Sequence, residues 1–348
     1  MELRSANFTL EEERVALRDT FKMFLERECS SELVRAAEPL GFDEQLWSQL
    51  GKMGMVAMAV PTASGGDGAG LIEMVLVAEE MGRRAAPVPF AETVAAARLL
   101  AACGSAAASW CDAAVEGTKL ITIALRPLRL GVPQLIAGGA VADAVVGLLD
   151  GEVVVVSGPL PLPHVTNHGQ APLGRLDIGA PGVTISPLAS GASAVASFTT
   201  AVREWELLIA AAELGMAVTA REIATEFVTN RVAFGVPIAT FQAMSHPIVD
   251  SYIGIIGGRR LVWQAAWFAD HEPDAKRELI PMAFTYACRV AMAAATTGVH
   301  VQGGLGFTVE SDMQFYFRRA KGWANVAGDP QDGLLAIADE LYGPATSD

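Results

Sequence analysis

The sequence predicts an α+β fold in three consecutive parts: a helical domain over 1–117, a small β domain over 118–200 and a four-helix bundle over 201–348. Three observations carry this. A chain of 348 residues is too long for one ordinary domain. Apolar residues recur at helical spacing toward both ends, whereas short β-branched runs replace them between Thr118 and Thr200. Hydrophobic residues make up 51% and charged residues only 18%, with mean hydropathy +0.34. That balance excludes a disordered chain and a coiled coil, and it calls for a large core plus apolar surface for oligomer contact.

In the first part, Thr9 with Glu12 reads as a capping box opening a helix to about Glu28. Asp43 caps a second helix containing Leu46, Trp47 and Leu50. A breaker-rich loop from Val60 to Gly70 precedes a helix over Leu71–Gly82, which Pro87 and Pro89 stop. An Ala-rich helix follows from about Glu92 to Ala102. In the second part, Leu120–Leu125, Val153–Val156 and Val183–Ile185 read as strands, and Asp150-Gly151 as a hairpin turn after Val145–Leu149.

Helices return from Val202. Met216, Ala220, Ile223 and Phe227 make one stripe, and Ile248, Tyr252, Ile255, Val262 and Ala266 a second. Ile280, Phe284, Ala287, Ala291 and Ala294 make a third, rich in small residues. The last helix has Asp329 as N-cap, Pro330 at its first position, Leu334, Ile337 and Leu341 inside, and Gly343-Pro344 as stop. Helices of this kind make a bundle.

Net charge is −14, with no run of Lys or Arg, so nucleic acid and an anionic membrane surface are not expected partners. The start shows no secretory pattern, and no stretch of about 18 residues is apolar without breakers. Cys29, Cys103, Cys111 and Cys288 are scattered. A reduced, cytoplasmic protein is the expectation. His164 and His168 lie close together without other ligand types, so no metal site is expected. Gly65–Gly70 lacks the order of a dinucleotide-binding turn, and no G-x-S-x-G is present.

Two stretches stand out. Arg231-Val232-Ala233-Phe234-Gly235-Val236-Pro237-Ile238-Ala239-Thr240-Phe241-Gln242 reads by itself as a helix ending at Gly235. Val299-His300-Val301-Gln302-Gly303-Gly304-Leu305-Gly306-Phe307 reads as a glycine loop between helices. Together, after an α–β–α layout, they resemble the acyl-CoA dehydrogenase family. The first meets every fixed position of that family's R-x-x-F-G-x-P-I-x-x-F-Q, and the second its G-G-x-G-F, followed by Phe317-Arg318-Arg319-Ala320-Lys321. Leu46-Trp47-Ser48-Gln49-Leu50, Gly54, Pro61, Gly65-Gly66-Asp67-Gly68 and Glu79-Glu80-Met81-Gly82-Arg83 extend the likeness over the N-terminal third.

The resemblance implies an acyl-CoA dehydrogenase-like fold and FAD bound across a subunit interface. Arg231 would hold the pyrophosphate, because a guanidinium binds phosphate oxygens bidentately. Phe234 and Gln242 would line the flavin or adenine. Gly303 and Gly304 would let backbone N–H groups approach phosphate. His300 stands where the family has Gln and still donates a hydrogen bond.

The reaction that the resemblance implies needs a carboxylate base to take an α-proton. Most members place a Glu after the R-A-K segment. Here that position is Ala327, and Asp329 nearby is explained by its N-cap role. Other members place the base on the first bundle helix, where ungapped register through Gly215 puts Trp205. Glu204 and Glu206 flank it, each turned about 100° away, and are the weak catalytic candidates. Both also suit a solvated helix start, where the helix dipole favours carboxylates. The family's T-E-P-x-A-G-S-D segment has no counterpart between Thr118 and Phe198.

Phosphate-end elements kept and base lost resembles the short subunit of actinobacterial α2β2 steroid side-chain acyl-CoA dehydrogenases. The implied partners are a second, longer acyl-CoA dehydrogenase-like subunit, an acyl-CoA substrate with a bulky acyl group and an electron-transferring flavoprotein. The alternatives are a self-sufficient homo-oligomer using Glu204 or Glu206, and a non-catalytic scaffold subunit.

Overall fold

A computed structural model describes residues 10–343. The Thr9 cap and Pro344 lie outside them. The N-terminal part holds α1 (Glu12–Glu28), α2 (Ser31–Ala36), α3 (Glu44–Lys52), α4 (Met55–Ala59), α5 (Leu71–Arg83), α6 (Phe90–Ala102) and α7 (Ala108–Val115). Asp43 caps α3 by accepting from the Leu46 N–H at 2.7 Å. The start of α5 is held from outside its own helix, since its Leu71 N–H donates to Asp270 at 2.7 Å.

The middle part contains β1 (Ile121–Ile123), β2 (Gln134–Ile136), β3 (Ala144–Leu149), β4 (Glu152–Ser157), β5 (Gly174–Leu176) and β6 (Thr184–Ser190). One sheet runs β1-β3-β4-β6, with β1 parallel to β3 and the other pairs antiparallel; β2 and β5 form a separate ribbon. Asp150 and Gly151, both at positive φ, close the β3–β4 hairpin as expected. The valine run of β4 follows from burial on both sides. Val153 and Val155 pack toward the helices, while Val154 and Val156 close a second core with Leu128 and Ile136.

The last part begins with α8 (Ala192–Asn230), 39 residues and about 58 Å long. It starts ahead of the expected boundary at 200/201, because Gly191 at φ 81° turns the chain straight out of β6. A hairpin of β7 (Val232–Ala233) and β8 (Val236–Pro237) leads to α9 (Gln242–His271), α10 (Leu279–Gln302), α11 (Met313–Gly322) and α12 (Gly333–Tyr342). α10 is long and apolar enough by composition to cross a membrane, but here it lies against α8, α9 and α11.

Two sequence expectations change here. The chain does not carry α8 on to Gly235: the helix ends at Asn230, and Phe234-Gly235 form a two-residue turn at φ 55° and 83°. The last helix does not turn Leu334 and Leu341 inward, for both are about half exposed, at 55% and 48%. Its expected Asp329-Pro330 start survives only as a 3-10 turn over Pro330–Asp332 that leads into α12, Asp329 accepting from the Gln331 N–H at 3.0 Å. The small-residue α10 packs its Ala287, Ala291 and Ala294 in the core as expected.

Candidate functional site

Short connections make α8, α9 and α10 run in alternating directions, so the end of α8, the start of α9 and the end of α10 share one end of the bundle. Ile223 and Glu226 accordingly line one groove with Gln302 and Leu305. All six expected cofactor residues lie on the segments at this end: Arg231, Phe234 and Gln242 around the hairpin, His300, Gly303 and Gly304 at the end of α10. All six are exposed.

Phe234 is 95% exposed, in a left-handed conformation that a bulky side chain adopts at a cost, and its ring meets Phe241 edge-on. Among the described residues, no carboxylate lies within ion-pair distance of Arg231, and the side chains of Gln242 and His300 make no hydrogen bond. Gly303 needs its glycine, at φ 61° and ψ −132°. Gly304 does not: its φ is ordinary, and a Cβ there would meet nothing within 4 Å. The hairpin and glycine turn thus present unpaired donors and an aromatic face outward, a set that fits a phosphate-bearing, ring-containing cofactor such as FAD.

The second region is a cavity of about 50 Å³ at the junction of the three parts. Its walls include Glu92 of α6, Ala137 and Gln170 of the β domain, Leu208 and Ile209 of α8, and Trp323 after α11. Trp205 is fully buried one turn before Leu208, and its indole N–H donates to Glu92 at 3.0 Å. Burial pushes the Glu92 carboxyl above its ordinary range, partly offset by that bond. Next to Val326, which also lines the cavity, Ala327 has its carbonyl held by Arg126 at 2.8 and 3.0 Å. Neither expected base position therefore offers a carboxylate to the cavity.

The flanking candidates are engaged elsewhere. Because α8 starts at Ala192, Glu204 and Glu206 sit more than two turns inside the helix, and Glu204 is buried rather than solvated. Both Glu204 oxygens accept from Arg98 at 2.8 Å. Glu206 accepts from Arg203 at 2.8 Å, and burial raises its pKa. Neither lines the cavity.

Two carboxyls escaped the sequence reading. One is Glu92. The other is Glu213 on α8, fully buried with both oxygens lacking a partner among the described residues, so that burial pushes it well above its usual range. Each is a lone acid in an apolar helical run, a pattern visible in the sequence.

Residues 11–109 match the family Acyl-CoA dehydrogenase, N-terminal domain, and residues 196–341 match Acyl-CoA dehydrogenase, C-terminal domain. The chain belongs to the acyl-CoA dehydrogenase family, flavin-dependent oxidoreductases. Among relatives, it is 29% identical over 341 residues to acyl-CoA dehydrogenase IpdE2 of Mycolicibacterium smegmatis, covering 96% of this chain and 100% of that one. It is 30% identical to acyl-CoA dehydrogenase FadE27 of Mycobacterium tuberculosis, covering 90% and 92%. A chain of the ChsE4-ChsE5 complex from Mycobacterium tuberculosis superposes with TM-score 0.83 at 26% identity, covering 98% and 100%.

Proposed function

We propose that this chain is one subunit of a heteromeric, α2β2 FAD-dependent acyl-CoA dehydrogenase, in which a longer acyl-CoA dehydrogenase-like partner supplies the catalytic base. One observation carries this reading: both base positions are closed, Ala327 with its carbonyl bound by Arg126 and Trp205 with its indole bound to Glu92. The ChsE4-ChsE5 structure, a complex of two named chains, supports a pairing of unlike subunits. FAD, when bound, accepts the hydride from the β-carbon of the thioester.

This chain's part is binding. Arg231 neutralises the pyrophosphate, Phe234 and Gln242 line the flavin or adenine, and His300 gives a hydrogen bond. Gly303 and Gly304 let the backbone approach phosphate without a Cβ between. The exposed Phe241, Val249 and Ile253 beside the hairpin give the partner an apolar surface. The acyl group is bulky, of steroid side-chain type, the enzyme works in the cytoplasm, and electrons leave to an electron-transferring flavoprotein.

The test is expression with and without the longer partner. Alone, the chain is empty of flavin and inactive; together, the pair carries one FAD per two unlike chains, and Arg231→Ala lowers that content. A lone chain that is yellow and desaturates an acyl-CoA overturns the proposal and favours the homo-oligomer. An unchanged flavin content in Arg231→Ala favours the scaffold.

A further inference from the structure

We infer that Trp205 is a plug: with Glu92 as its latch, it closes an acyl-chain pocket in this subunit, so that each pair of unlike chains keeps a single thioester site. This rests on the subunit reading above. The cavity beside Trp205 lies between α6, α8 and the β domain, and its walls are mostly apolar. Such a slot between domains suits an acyl tail. Its volume, about 50 Å³, is a third of the ~150 Å³ that admits benzene in an engineered core. An acyl chain does not fit.

The reason is the α8 face. Trp205, Leu208, Ile209 and Ala212 follow at i, i+3, i+4 and i+7, so they form one stripe. The lower three line the cavity, and Trp205 stands one turn beyond Leu208, fully buried and bonded to Glu92 of the cavity wall. The indole cannot swing aside without cost, because its N–H bonds Glu92 and its ring packs tilted on Phe284 at 6.1 Å. Trp323, which lines the cavity, is fixed in the same manner: it donates its indole N–H to the Gly169 carbonyl at 3.1 Å. Two tryptophans, Trp323 on the wall and Trp205 one turn from Leu208, are thus each tied through the ring nitrogen. The acid that satisfies the indole N–H is itself on the cavity wall, so the ring is held in one orientation at that edge.

The test titrates octanoyl-CoA calorimetrically into the complex with the longer partner, without an electron acceptor. The native complex takes no more than one equivalent per unlike pair, and Trp205→Ala gains one further equivalent per copy of this chain. Thermal melts with benzene show that the slot has opened, raising the midpoint for Trp205→Ala and leaving the native complex unmoved. Trp205→Val removes most of the indole's bulk while keeping some apolar packing, serves in the same titration if alanine does not fold, and gains the same equivalent. A native complex that takes two equivalents overturns the plug, as does a folded, benzene-binding variant that gains none. Neither result bears on the subunit reading, which fails instead on desaturation by the lone chain.

Discussion

Both carboxylate oxygens of Glu204 accept from the single guanidinium of Arg98, each at 2.8 Å, and the same guanidinium donates to the Ala59 carbonyl at 3.0 Å. This pair ties α8 to α6 and α4. Arg98→Ala strands the buried Glu204 carboxylate and costs about 3–5 kcal/mol in urea unfolding, whereas Glu204→Ala leaves a guanidinium that still reaches solvent and costs less. Glu204→Gln in the assembled enzyme keeps its turnover, because no proton moves at this carboxylate. A large fall in kcat with an unchanged unfolding midpoint would instead mark Glu204 as the base.

Phe234 holds a left-handed conformation at φ 55° while making little contact with its own chain. Asparagine is at home in that half of a tight hairpin turn. Phe234→Asn therefore raises the stability of the lone chain by about 1 kcal/mol, and lowers flavin absorbance in the complex. Equal flavin content in both forms would remove Phe234 from the cofactor surface.

Glu80 is buried on α5, and burial raises its carboxyl from 4.5 to about 7 against a weaker pull from Arg83. The folded chain then holds a proton that the unfolded chain has already lost between these values. Stability from this group is full below about 4.5 and falls as pH rises to about 7. The decline is roughly 2 to 3 kcal/mol. Glu80→Gln flattens it, which denaturant midpoints across that pH range will show.

Gly82 of α5 and Gly215 of α8 let two helix backbones touch: a Cβ on the first would collide with the Ala212 carbonyl, and one on the second with the Glu79 carbonyl. Gly82→Ala and Gly215→Ala each cost about 1–3 kcal/mol in thermal unfolding. Gly304→Ala, with open space around it, leaves stability unchanged and reduces flavin content of the complex.

Much of the fold was legible because its signals are local. Asp43 caps its helix, Asp150-Gly151 turns its hairpin and Pro330 starts its turn through interactions within a few residues. Gly235 suits a helix stop and a type I′ turn equally, so the sequence leaves the end of α8 open. The strand pairing of Val232 with Pro237 settles it, and that contact closes only once the chain has turned. Leu334 and Leu341 were read as inward from their spacing. Spacing shows that a face is apolar, not what covers it.

The sequence by itself determined the family, the three-part layout and the loss of a carboxylate at Ala327 and Trp205, since residue identity and spacing carry these. Only the tertiary structure decided that Glu204 is spent on Arg98 and that Glu92 latches Trp205. Partners 106 and 113 positions apart meet through packing of whole helices, and the free energy of a buried charge depends on what that packing brings beside it.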